Sequence, residues 1–152
     1  LGEDATVKRD RNGLWILDEA SCRYLLSTVP VARIGLVLFG APVVLPVNIV
    51  VVDDDVVFRS ARGSKLDAAI IQDLVVVQAD RYDEHERTGW SVVAKGPAAE
   101  LTEPDLLARV DALNLAPWGI PTADHVIAVR MHVLSGRSIG TPPELEGRDP
   151  AP

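Results

Sequence analysis

At 152 residues the chain can bury one real core, and 47% apolar with 24% charged residues is an ordinary globular composition. The 22 Asp and Glu outnumber the 15 Lys and Arg, for a net charge of −7. That excludes the broad basic face of a nucleic-acid-binding domain, but not a local basic pocket for a small anion.

The opening LGEDATVKRDRNG is polar and lacks the apolar stretch of a secretory signal. The longest apolar run, residues 41–52, contains Pro42, Pro46 and Asn48 and is too short to span a bilayer. A single cysteine, Cys22, excludes an internal disulfide. These features predict a cytoplasmic protein without membrane or nucleic-acid partners.

Asp18 is placed to cap a helix over 19–27, with Cys22, Leu25 and Leu26 on one side; Cys22 reads as a small core residue. Strands are predicted over 31–39 and 43–52, with a turn at Gly40-Ala41-Pro42 between them, and Pro46 places part of the second at an edge or bulge. Asp53-Asp54-Asp55 reads as a hairpin turn rather than a calcium loop, since the EF-hand pattern is missing. A third strand follows over 56–60. Ser64-Lys65-Leu66-Asp67 fits a capping box and predicts a helix over 65–72.

Leu74 opens a fourth strand, 74–80, and a polar loop over 81–88 leads to a fifth, 89–101. Thr102-Glu103-Pro104-Asp105 starts a further helix, with Pro where its missing N–H costs little; Leu106, Leu107, Val110 and Leu113 form its apolar side. A loop over 116–124 carries Trp118, as a lid or as packing for that helix. One long strand is predicted over 126–139, bent at Ser135-Gly136. The tail, 141–152, is rich in Pro and charge and is expected to be disordered beyond a single domain of residues 1–140. Short antiparallel strands with few helices indicate a mainly β chain, and valine-dense strands suggest burial on both faces, which in so small a domain calls for a second subunit.

The corner FRSARGSKLDAAI draws together Arg59, Arg62, Lys65 and Gly63 between a strand and a helix. The outward N–H groups of the helix start, the dipole, Lys65 and the hydroxyls of Ser60 and Ser64 suit an anion such as a phosphate. The plainer alternative is a solvated strand end with a capping box that needs no ligand. The spacing matches neither the P-loop nor GxGxxG. His85, His125 and His132 have no metal-ligand spacing.

Four segments, in order, carry a resemblance: VPVARIGLVLFGAPVVLPVNIVV, VVFRSARGSKLDAAI, RTGWSVVAKGPAAEL and VIAVRMHVLSGRSI. Together the chain resembles the pyridoxamine 5′-phosphate oxidase-like proteins, the FMN-binding split β-barrels. The resemblance implies an antiparallel, Greek-key-like split barrel, homodimeric, with two FMN molecules at the subunit interface. It implies that Leu45, Pro46, Val47 and Asn48 lie along the flavin ring, and Arg59 and Ser60 beside the flavin and its ribityl-phosphate. Ser64 and Lys65 would bind the phosphate. Trp90 and Ser91 would approach the flavin across the dimer. The implied activity is that of a flavin-dependent oxidoreductase acting on a small molecule. The oxidases proper carry a further C-terminal substrate segment with no counterpart after Ile139, so vitamin B6 oxidation is not expected. The alternatives are a deazaflavin (F420) reductase, whose longer anionic tail would use Arg59, Arg62 and Lys65, and a non-catalytic flavin or haem carrier, for which His132 is a conceivable axial ligand.

Overall fold

The computed structural model describes residues 8–72, 74–119 and 123–140. In chain order the elements are β1 (Trp15–Leu17), α1 (Glu19–Ser27), β2 (Val31–Leu38), β3 (Ala41–Asn48), β4 (Val50–Val52), β5 (Asp55–Ser60), α2 (Lys65–Gln72), β6 (Leu74–Asp83), β7 (Thr88–Glu100), α3 (Pro104–Ala112), β8 (His125–Arg130) and β9 (Val133–Ile139). The predicted tail and residues 120–122 of the predicted loop lie outside the described residues.

The two predicted caps act locally and fix their helices. Asp18 Oδ1 accepts the Ser21 N–H at 2.6 Å and starts α1, whose Cys22, Leu25 and Leu26 are buried. Burial, aided by the nearby charge of Asp18, pushes the Cys22 thiol up to about 11, which suits an inert core side chain. Ser64 Oγ accepts the Asp67 N–H at 3.0 Å and starts α2. The return arm of this capping box is displaced by one residue: Asp67 Oδ2 accepts from Gly63 N at 3.2 Å, while Ser64 N donates to Ala61 O. Gly63, at φ +75°, supplies the left-handed turn this arm needs.

All strand pairs are antiparallel. The sheet runs β3-β2-β6-β7-β8-β5-β4, with β9 also on β7 and β1 on β9. β7 closes the curl. It pairs β6 on one side; on the other it pairs β9 from Gly89 to Lys95 and β8 from Ala98 to Glu100. Gly96 marks the change of partner, and a Cβ there would sit 1.7 Å from the Arg130 carbonyl oxygen. The interior of the curl holds the main core, including Leu26, Ile34, Phe58, Val77, Val92 and Ile127. A smaller core lies under α3, where Val110 meets Val52, Val57, Leu115 and Val126. β5 therefore buries both faces, as its valine-rich sequence requires. Burying Phe58 alone is worth about 1.5–3 kcal/mol.

Several elements differ from expectation, each through contacts distant in sequence. The predicted strand 43–52 breaks at Ile49, whose N–H donates to Pro30 O; β3 pairs β2 on one side of the break and β4 pairs β5 on the other. Pro46 is tolerated because β3 is an edge strand. The predicted strand 126–139 is two strands. They part at Met131 and His132, whose N–H groups donate to Asp54 O and to Lys95 O, and there is no break at Ser135-Gly136. The polar stretch 81–88 is mostly hairpin, with the turn between Asp83 and Thr88; Tyr82 lies over its cross-strand partner Gly89. Leu113 caps the C-terminus of α3 half-exposed instead of joining its apolar side. The short β1 was not expected, although the turn dipeptide Asn12-Gly13 before it is a hairpin signal.

Candidate functional site

A cavity of about 370 Å³ opens between β3, β5, the start of α2 and the segment after α3. Its walls are mainly apolar, from Ile34, Leu45, Val47, Phe58, Ile70 and Leu115, with Asn48, Arg59, Ser60 and Ser64 as polar points. A few polar groups in an apolar pocket of this size are the usual make-up of a small-molecule site. Seven of the ten candidate residues line it: Leu45, Pro46, Val47, Asn48, Arg59, Ser60 and Ser64. A second cavity of about 360 Å³ lies on the other side of Asn48 and shares Asn48 and Leu115 with the first; Trp118 also lines it.

Strand alternation decides what each β5 residue presents. Phe58 belongs to the interior core and Ser60 is buried on the same side, whereas Arg59 turns towards α3. Its guanidinium donates to Leu115 O at 2.9 Å and pairs with Asp111 at 2.8 Å. Arg59 thus anchors the segment that roofs the cavity. Asn48 does the same from β3: its Oδ1 accepts Trp118 N–H at 2.9 Å and its Nδ2 donates to Pro30 O at 3.3 Å. Trp118 itself is 73% exposed, so it packs little of α3.

At the corner, Arg62 is tied to Glu100 at 3.1 Å. The Lys65 side chain lies outside what is described. Below the corner a buried polar group was missed from sequence. His125 Nδ1 pairs with Asp67 Oδ1, and both side chains are buried. His125 Nε2 lies 3.3 Å from Glu100 Oε1 but out of line for a hydrogen bond, so this buried nitrogen has no aligned partner. Arg62, with help from His125 and against some desolvation, holds the Glu100 carboxyl below its ordinary range. Asp67 was legible only as a cap. His125 begins β8 opposite Ser60, a pairing no local signal reveals.

Trp90 and Ser91 do not line the cavity. Trp90 points into the main core, 7% exposed, while Ser91 is half-buried on the opposite face of β7, paired with Asp80 and Arg137. That outer sheet face is apolar for a surface: Val37, Val44, Leu74 and Val133 are each more than half exposed.

The remaining candidates have structural explanations. Asp53, Asp54 and Asp55 are tied to Arg109, Arg23 and Arg130 respectively. Among the described residues no group of His, Cys, Asp and Glu could hold a metal ion. His132 is exposed in the β8–β9 break and His85 in the β6–β7 turn, so neither lines the cavity. Among the described residues no helix is long and apolar enough to cross a membrane.

A curled antiparallel half-barrel with three helices and this cavity defines the split-barrel class. The chain belongs to the pyridoxamine 5′-phosphate oxidase family, whose model matches residues 18–138. An uncharacterized protein of Mycobacterium tuberculosis is 34% identical over 79% of this chain and 82% of its own length. The FAD binding protein from Mycobacterium smegmatis superposes with TM-score 0.68 at 31% identity, over 82% of this chain and 97% of that one. The FAD and heme binding protein from the same organism shares the fold, with TM-score 0.64 at 19% identity, over 82% of this chain and 73% of that one.

Proposed function

We propose that the chain binds FMN in the 370 Å³ cavity and works, as a homodimer, as an oxidoreductase on a small-molecule substrate. The observation that carries this reading is the pairing of flat apolar walls with a capped helix start at one end. Leu45, Val47 and Phe58 offer apolar contact to a ring system and exclude water from it. Ser64 takes the Asp67 N–H, leaving the first-turn N–H groups of Lys65 and Leu66 as donors to a phosphate beside Ser60 and Ser64. FMN, when bound, supplies the hydride and electron transfer. Arg59 and Asn48 hold the roof segment and so orient the ligand indirectly. The exposed apolar sheet face supports dimerisation and would bring Ser91 towards a second copy.

A second reading is FAD: the second cavity across Asn48 has room for a further nucleotide, and the similar protein from Mycobacterium smegmatis binds FAD. The deazaflavin reading is weakened because, among the described side chains of the corner, Arg59 and Arg62 are engaged by Asp111 and Glu100. The haem reading is weakened because no histidine lines the cavity among the described residues.

Calorimetric titration with FMN, FAD and riboflavin tests the site. FMN should bind at least roughly tenfold more tightly than riboflavin, the worth of a few charge-assisted hydrogen bonds. Equal affinity for FMN and riboflavin would remove the phosphate site. Sedimentation should give the mass of two chains; a strict monomer would remove the role of Ser91.

A further inference from the structure

The contacts below the corner close a loop. Gly63 N–H donates to Asp67 Oδ2, Asp67 Oδ1 meets His125 Nδ1, His125 Nε2 faces Glu100, and Glu100 Oε1 accepts from Arg62, the neighbour of Gly63. The charged groups facing the imidazole are Asp67 from α2, Glu100 from β7 and Arg62 beyond it; from β5 its partner is the uncharged Ser60. Only the doubly protonated ring can donate towards both carboxylates.

The arithmetic of charge then matters to the anion site. With His125 protonated, two carboxylates face two cations and the ring of contacts is neutral. With His125 neutral, it carries a net charge of about −1 directly beneath the first turn of α2. A carboxylate in that turn is favourable to the helix dipole but opposes an anion at the same place, and His125 is what offsets it.

We propose that His125 is a positioning residue of the phosphate corner: through Asp67 and Glu100 it fixes the 62–67 backbone, and through its proton it sets how strongly the corner holds an anion. This rests on the cavity being a flavin-phosphate site. Anion affinity then falls as rising pH removes the proton.

FMN and riboflavin differ by the phosphate, so the ratio of their affinities isolates the corner. Measured on the full chain over a pH series from about pH 5 to about pH 8, that ratio should be compared with the one for His125→Gln. The phosphate's own second ionisation, at about pH 6, is common to both proteins and cancels. The wild-type ratio should fall about three- to tenfold relative to the variant, the scale of one charge at a partly solvated corner. Glu100→Gln, at a half-exposed position that leaves the buried pair in place, should raise the ratio about threefold or more by removing a negative charge and releasing Arg62. Identical pH profiles for wild type and His125→Gln would overturn the proposal, as would an unchanged or lower ratio in Glu100→Gln; either result leaves flavin-phosphate binding standing. Equal binding of FMN and riboflavin by wild type would overturn both readings together.

Discussion

Two charged clusters among the described residues are built from similar parts, and they behave as opposites. At the β4–β5 turn each of three aspartates meets its own arginine, from α1, α3 and β8, and apart from Asp55 these side chains are partly or mostly open to water. At the corner below the cavity a histidine sits between two carboxylates, 4% exposed, with one nitrogen misaligned. The first cluster pins helices to the sheet with pairs that water screens. The second buries the His125–Asp67 pair where water cannot compensate and leaves Glu100 and Arg62 part-exposed at its rim, so the two buried groups depend on each other's state. Burial separates a fastener from a control point, and composition alone does not.

The comparison is broken most severely at Asp67. Asp67→Ala removes the imidazole's buried partner and the acceptor for Gly63 N–H together. The loss should be about 3–5 kcal/mol, the usual cost of stranding half of a buried pair. Urea denaturation checks it; a loss no larger than that of a surface pair would mean the cluster is solvated. Ser64→Ala is the milder cut. It takes away the cap and one proposed phosphate donor but leaves the ring of charges, so about 1 kcal/mol of stability should go. FMN should weaken while riboflavin is unaffected. A variant with full FMN affinity would confine Ser64 to capping.

How far each cluster could be read from the sequence follows from the same distinction. Asp18 and Ser64 act on N–H groups three residues away, so α1 and α2 begin and end where they are predicted. The apolar wall of β3 and the serines of the corner were also visible, because the resemblance runs through those segments. The partners of Arg59 and Asp67 were not. Asp111 and Leu115 lie on a later helix and its exit, and His125 reaches Asp67 only because β8 pairs with β5. The break at Met131-His132 has the same origin, since its acceptors Asp54 and Lys95 come from two other strands. Period-two patterning reports which residues share a face; it cannot report whether the face that carries Arg59 or Trp90 lines the cavity.

The smallest expected effect belongs to the exposed cluster, and its pH dependence has a definite sign. Two hydrogen bonds from Arg109, each 2.8 Å, hold the Asp53 carboxyl below its ordinary range. A carboxyl with a lower value in the folded state than in the unfolded one contributes stability above the unfolded value. It loses that contribution as pH falls through the folded one. Asp53→Asn should therefore lower the melting temperature slightly at neutral pH, and the difference from wild type should vanish as acid protonates Asp53. Salt should shrink the difference, because the pair is exposed. Thermal melts in low and high salt decide the matter: Asn tolerates the left-handed turn at φ +51° as well as Asp does, so a difference that survives both acid and high salt would show that the charge of Asp53 is not its source.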